Sequence, residues 1–135
     1  MVERKEIKIG KLETKTGSQS FTEKFIVVNG PTCLEVYGCD ADHRGIVERF
    51  GLNQSQVLGG AAYSFRDGEL LIRNQSSTFG GVGKEAAGVI ATLIARALSI
   101  QGYQVNNSGV EYSVPNLIYE DFYHATRWRN SGFNE

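Results

Sequence analysis

The longest helical pattern in the chain, Lys84 to Gln101, restricts the choice of fold more than any other feature. Ala87, Ile90, Ala91, Ile94, Ala95 and Leu98 recur at helical spacing and form one apolar stripe, with Gly102 in the C′ position. Such a stripe needs an apolar surface to lie on, and the rest of the chain offers one mainly in extended form. Ile7, Ile9 and Leu12 alternate with charged residues. Lys24 to Asn29 is β-branched and apolar, Asn29-Gly30-Pro31 breaks it, and Thr32 to Tyr37 resumes the extended pattern, which predicts a hairpin. Thr14 to Ser20 reads as a turn. Val57 to Phe65 and Glu69 to Asn74 flank an Asp67-Gly68 hairpin signal, and Tyr103-Gln104-Val105 reads as the last strand. A shorter helix starts at Asp40-Ala41-Asp42-His43 under an acidic cap, presents Ile46, Val47 and Phe50 as its apolar face, and stops at Gly51.

The order strand, strand, strand, helix, strand, strand, helix, strand predicts an α+β fold, a mixed sheet of five to six strands flanked by two main helices. With 135 residues and no repeat or linker, residues 1–135 are expected to form a single domain. Residues 115–135 are a C-terminal extension. Within it Leu117, Ile118, Phe122, Tyr123 and Trp128 suit an additional amphipathic helix with an aromatic face, packed on the domain or on a second subunit, or else a tail that recognises a partner and includes His124.

Charge and composition exclude several classes of function. A formal net charge of −1 leaves no basic footprint for a phosphate backbone, so nucleic acid is not the expected partner. No apolar run reaches the roughly 18 residues that span a bilayer, and Met1 to Glu6 is too polar for a signal peptide, so the expectation is a cytoplasmic protein with no membrane role. Cys33 and Cys39 fall in one extended segment, too far apart for a disulfide, and are expected reduced. No zinc spacing is present, and neither metal nor cofactor is expected. Cys39 as a redox thiol is the weaker reading.

Chemistry is easiest to place in Gln75 to Lys84, between a strand and the long helix. Small residues let backbone amides approach a ligand, Ser76, Ser77 and Thr78 offer hydroxyls, and Gly80 and Gly81 open the backbone, so a phosphate is the natural occupant. The alternative is a sharp strand-to-helix turn. Gly80-Gly81-Val82-Gly83-Lys84 is not a P-loop: Thr78 stands where the first glycine belongs, and Glu85 where Ser or Thr must hold magnesium. His43, in the first turn of the first helix, is the other candidate. The helix dipole there favours a neutral imidazole while Asp40 and Asp42 favour the cation, and a neutral ring beside an anion site serves as base or nucleophile. A solvated helix-start histidine is the alternative.

Three patches of the chain, in order, resemble the small protein-histidine phosphatases of the Janus/Ocnus family. Glu23-Lys24-Phe25-Ile26-Val27-Val28 is similar to that family's early strand, and His43-Arg44-Gly45-Ile46-Val47 to its catalytic-histidine helix start. Leu58-Gly59-Gly60, the strand Leu70 to Asn74 and Ser76-Ser77-Thr78-Phe79-Gly80 are similar to its Gly-rich segment, strand and loop. Gly102-Tyr103-Gln104-Val105 is similar to its last strand. The resemblance covers about residues 22–112. Ala61 replaces a third glycine, Gln75 an aromatic and Arg44 a small residue, and the segment from Pro115 onward has no counterpart.

The resemblance implies a metal-independent hydrolase of phosphoramidates such as phosphohistidine. His43 would be catalytic, Lys24 would neutralise phosphate, Ser76 would donate to it, and the amides of His43 and Arg44 would complete the cradle. Arg44 would clamp the phosphate, block the cradle, or pair with Glu48. A phosphorylated protein or small phosphorylated ligand is then the expected partner, bound by Lys24, Arg44, Ser76, Ser77, Thr78, Gly80 and Gly81. The competing expectation is a non-catalytic anion- or protein-binding domain of the same architecture, acting as a homodimer.

Overall fold

A computed structural model describes residues 5–14, 20–74 and 81–111. The chain runs β1 (Ile7–Leu12), β2 (Ser20–Asn29), β3 (Leu34–Cys39), α1 (His43–Arg49), a 3-10 turn at Gln54–Gln56, β4 (Val57–Arg66), β5 (Glu69–Arg73), α2 (Lys84–Ile100) and β6 (Asn107–Glu111). The six strands form one sheet in the order β1-β3-β2-β4-β5-β6. The inner pairs are antiparallel, whereas β1 joins β3 and β6 joins β5 in parallel. The fold is therefore α+β with a mixed sheet and two helices, as the pattern of elements predicts.

Local signals account for most boundaries. Asp42 Oδ1 accepts the Gly45 amide at 2.6 Å and caps α1. Both helices end in a Schellman motif: the amides of Gly51 and Leu52 return to the carbonyls of Glu48 and Val47, and those of Gly102 and Tyr103 to Ser99 and Leu98. Asp67 and Gly68 take left-handed φ values of 48° and 92°, the geometry of a tight β4–β5 hairpin.

Three strand assignments differ from the sequence reading. Ser20 belongs to β2 rather than to the turn before it, and β3 starts at Leu34 rather than Thr32. Cys33 therefore lies in the β2–β3 connection and Cys39 at the end of β3; both are free thiols. The last strand is Asn107–Glu111, not Tyr103–Val105. Tyr103 and Val105 pack on the core as a connection, and pairing waits until Asn107 stands opposite Glu69, the first residue of β5.

The two faces of the sheet are covered separately. Phe25, Val27, Leu34, Val36, Ala61, Tyr63, Phe65, Leu70 and Ile72 meet the stripe of α2, including Ala87, Ile90, Ile94 and Leu98, in the main core. Ile26, Val28, Cys39 and Val57 meet Ile46 and Val47 of α1 on the other side. No helix among the described residues is long and apolar enough to cross a membrane. The expected helix within 115–135, with His124, lies outside the described residues.

Candidate functional site

His43 is the first residue of α1, directly after the Asp42 cap, and it is buried with only 6% of its surface exposed. Its Nε2 lies 3.0 Å from the carbonyl oxygen of Ala61. A carbonyl can only accept, so Nε2 carries the hydrogen and Nδ1 is the basic atom of the neutral ring. Gly60 makes this approach feasible. A Cβ there would stand 2.8 Å from His43 Cδ2 and 3.1 Å from Nε2, so any side chain at that point of β4 would drive the ring away from Ala61.

Burial holds the His43 pKa below the ordinary histidine range. The Lys24 ammonium acts in the same direction, while the hydrogen bond to Ala61 and the Asp42 carboxylate oppose it. At neutral pH the ring is uncharged. The opposition foreseen at the helix start was between the dipole and the aspartates; the dominant cause is instead desolvation, with Asp42 opposing it as expected.

Lys24 is exposed on β2, opposite Ala62 and diagonal to Gly60. Residues directly opposite on neighbouring strands share a face, so Lys24 stands on the α1 side of the sheet with His43. Arg44 is exposed in the first turn of α1, and among the described residues no ion pair joins it to Glu48. Ala61, at the position of the missing third glycine, is fully buried on the α2 side. Its methyl group points away from His43 while its carbonyl holds the ring, so this departure leaves the site's floor intact.

Ser76, Ser77, Thr78 and Gly80 lie outside the described residues, but both flanks of that stretch are fixed. The buried Asn74 side chain accepts the Val82 amide at 2.8 Å and donates to the Val82 carbonyl at 2.6 Å. One side chain thereby supplies the two bonds that a strand neighbour would supply. Arg73 pairs with Ala62, which sets Asn74 beside Ala61. Gly81 is half-buried, and its carbonyl oxygen would be 2.7 Å from a Cβ on Gly59. The flanks therefore meet Gly59 and lie beside Ala61 on the α2 side of β4, while His43 is seated over Gly60 on the other face of the same stretch.

One residue on this face escaped the sequence reading. Arg73 is exposed and stands opposite Ala62, on the same face as Lys24. The available signal was alternation: Leu70 and Ile72 point into the core, so Arg73 points out on the other side. Its neighbours there follow only from the strand register. Cys39, by contrast, has a thiol pKa raised chiefly by burial, with the Glu13 carboxylate adding to it, which argues against a reactive thiolate. A concavity of about 630 Å³ between β1 and α2 lies on the α2 side, away from His43.

Comparison of the whole chain with known protein families finds no matching family, and comparison with curated proteins finds no match.

Proposed function

We propose that the protein binds a phosphoryl group beside His43 and hydrolyses a phosphoramidate such as phosphohistidine. The observation that carries this reading is the state of His43: buried, neutral, fixed through Nε2 to Ala61 and next to the cation of Lys24. The resemblance to the small protein-histidine phosphatases points the same way.

With Nε2 turned to the Ala61 carbonyl, Nδ1 is the ring nitrogen assigned to the reaction in this reading. As a general base, Nδ1 takes a proton from a water whose oxygen attacks phosphorus; the P–N bond breaks and its electron pair goes to the leaving nitrogen, which departs in a neutral imidazole because the other ring nitrogen of the phosphohistidine already carries a proton. As a nucleophile, Nδ1 itself bonds to phosphorus as the substrate's P–N bond breaks and its electron pair leaves with the substrate nitrogen; water then attacks phosphorus, the Nδ1–P bond breaks and phosphate is released. In either course Lys24 offsets charge on the transferred group, and Arg44 with the hydroxyls of Ser76, Ser77 and Thr78 is suited to hold its oxygens. Positioning and charge neutralisation are the main demands of this chemistry.

The test is release of inorganic phosphate from a phosphohistidine peptide by wild type and His43→Ala. Loss of release in the variant is the expected result, and equal rates would reject the assignment. Absence of release by wild-type protein that still binds phenyl phosphate would leave an anion-binding domain without catalysis.

A further inference from the structure

We infer that Arg73 is the second cationic arm of the His43 site and that the pair Lys24 and Arg73 selects a doubly charged phosphoryl group over singly charged anions. This rests on the proposed phosphoryl site at His43 and names a residue and a selectivity beyond it.

Strand register brings the two cations together. Lys24 pairs with Ala62 across β2–β4, and Ala62 pairs with Arg73 across β4–β5. Directly opposed residues share a face with Cβ atoms about 5 Å apart, so Lys24, Ala62 and Arg73 form one row and the two cations are rooted about 10 Å apart. Only a methyl group stands between them. Both side chains are long enough to lean inward over Ala62, and the next position along this face of β4 is Gly60, under the His43 ring. A phosphoryl group over Ala62 would thus meet an ammonium on one side, a guanidinium on the other and the imidazole beyond.

The charges are available for such a ligand. Among the described residues neither Lys24 nor Arg73 makes an ion pair; the pair formed by Arg49 with Glu13 at 2.8 Å lies elsewhere. Glu111 is the carboxylate placed opposite Arg73 on β6, and Glu69 lies on the same face of β5, yet neither closes on the guanidinium. Two like charges flanking one alanine repel each other mildly, and an anion between them removes that repulsion. A guanidinium can engage two phosphoryl oxygens at once while an ammonium acts as a point charge, so the row is matched to a group with two negative charges.

The experiment measures the dissociation constants of phenyl phosphate and dimethyl phosphate at pH 8 for the full chain, where the monoester is a dianion and the diester a monoanion. The variants are Arg73→Gln, Arg73→Lys, Lys24→Gln, His43→Ala and Arg66→Gln, the last removing an equal charge from the far end of the same face. Arg73→Gln is expected to weaken phenyl phosphate about tenfold, in line with loss of a charge-assisted contact, with dimethyl phosphate little changed. Arg73→Lys should recover part of that loss, and Arg66→Gln should bind as wild type. If Arg73→Gln leaves the preference for the dianion intact while Lys24→Gln weakens it, the role of Arg73 is rejected and the phosphoryl site stands. If wild type does not bind phenyl phosphate, or Lys24→Gln and His43→Ala bind it as wild type does, the site itself is rejected and Arg73 with it.

Discussion

Against one face of the sheet lies α2, 17 residues long, whose stripe reaches strands on both sides of the centre; against the other lies α1, 7 residues long, which rests on β2 and β3. The first face is filled with side chains exposed by 0–9%, from Phe21 and Phe25 to Ile94 and Leu98. Glu23, the one buried acid among the described residues, accepts the Tyr63 hydroxyl at 3.1 Å inside an aromatic cluster, and burial with that carboxylate keeps the phenol protonated. The second face has a small core under α1. Beyond it the described half over β4, β5 and β6 carries Ala62, Leu71 and Arg73 without a covering helix. The difference is one of cover: α2 spans its face of the sheet, whereas α1 seats His43 over Gly60 and, among the described residues, no helix lies over β5 and β6 on that face.

That division is broken most directly by a cavity on the α2 side. Ile94→Ala removes a fully buried side chain from the main core and should cost about 2–5 kcal/mol in urea unfolding. Phenyl phosphate affinity of the folded protein should be unchanged. A loss of affinity comparable to that of a site variant would show that the two faces are coupled and that α2 also shapes the site.

A smaller effect on stability, but a larger one on the site, is expected from Gly60→Ala. The added methyl would meet the His43 ring at 2.8 Å and the Phe25 carbonyl at 3.1 Å. Overpacking of this kind costs about 1–3 kcal/mol, and the ring is the part that can move. The variant should therefore remain folded, lose the Nε2 bond to Ala61, and lose phosphate release. Proton NMR of the His43 ring reads the first two directly; an unshifted ring with wild-type turnover would remove Gly60 from the argument.

These regions also differ in how much of them the sequence discloses. The α2 side was legible because each of its signals is local: the stripe from Ala87 to Leu98, the Asp67-Gly68 turn, and the alternation of β2. The Asp42 cap placed His43 at the start of α1 for the same reason. The last strand was not legible, since Asn107, Ser108 and Gly109 are poor strand formers held in place by parallel pairing to β5, while Tyr103 and Val105 carry strand-like side chains used for core packing. Burial of His43 could not be read either, because it depends on Gly60, 17 positions later, lacking a side chain. Arg73 illustrates the general difficulty. Its exposure follows from alternation, but its placement beside Lys24 needs two strand registers that no local pattern encodes.

The finest test of the comparison uses the His43 titration. In the folded protein the ring's pKa lies below its ordinary value near 6.5. Between the folded and unfolded values the unfolded chain binds a proton that the folded chain does not. Stability therefore rises with pH through that window; it falls as the pH drops below about 6.5 and levels off once the folded ring is itself protonated. His43→Gln should lack this component, seen as a stability difference from wild type that changes only within the window. Lys24→Gln removes the second cause of the depression and leaves the first, burial, in place. Its effect should be the smallest of the three: a partial rise of the His43 pKa toward the ordinary value and a narrower window, both measurable by ring NMR. A His43 pKa unmoved in Lys24→Gln would mean that the ammonium does not act on the ring, and the α1 side would then hold a buried histidine and an unrelated surface lysine instead of one site.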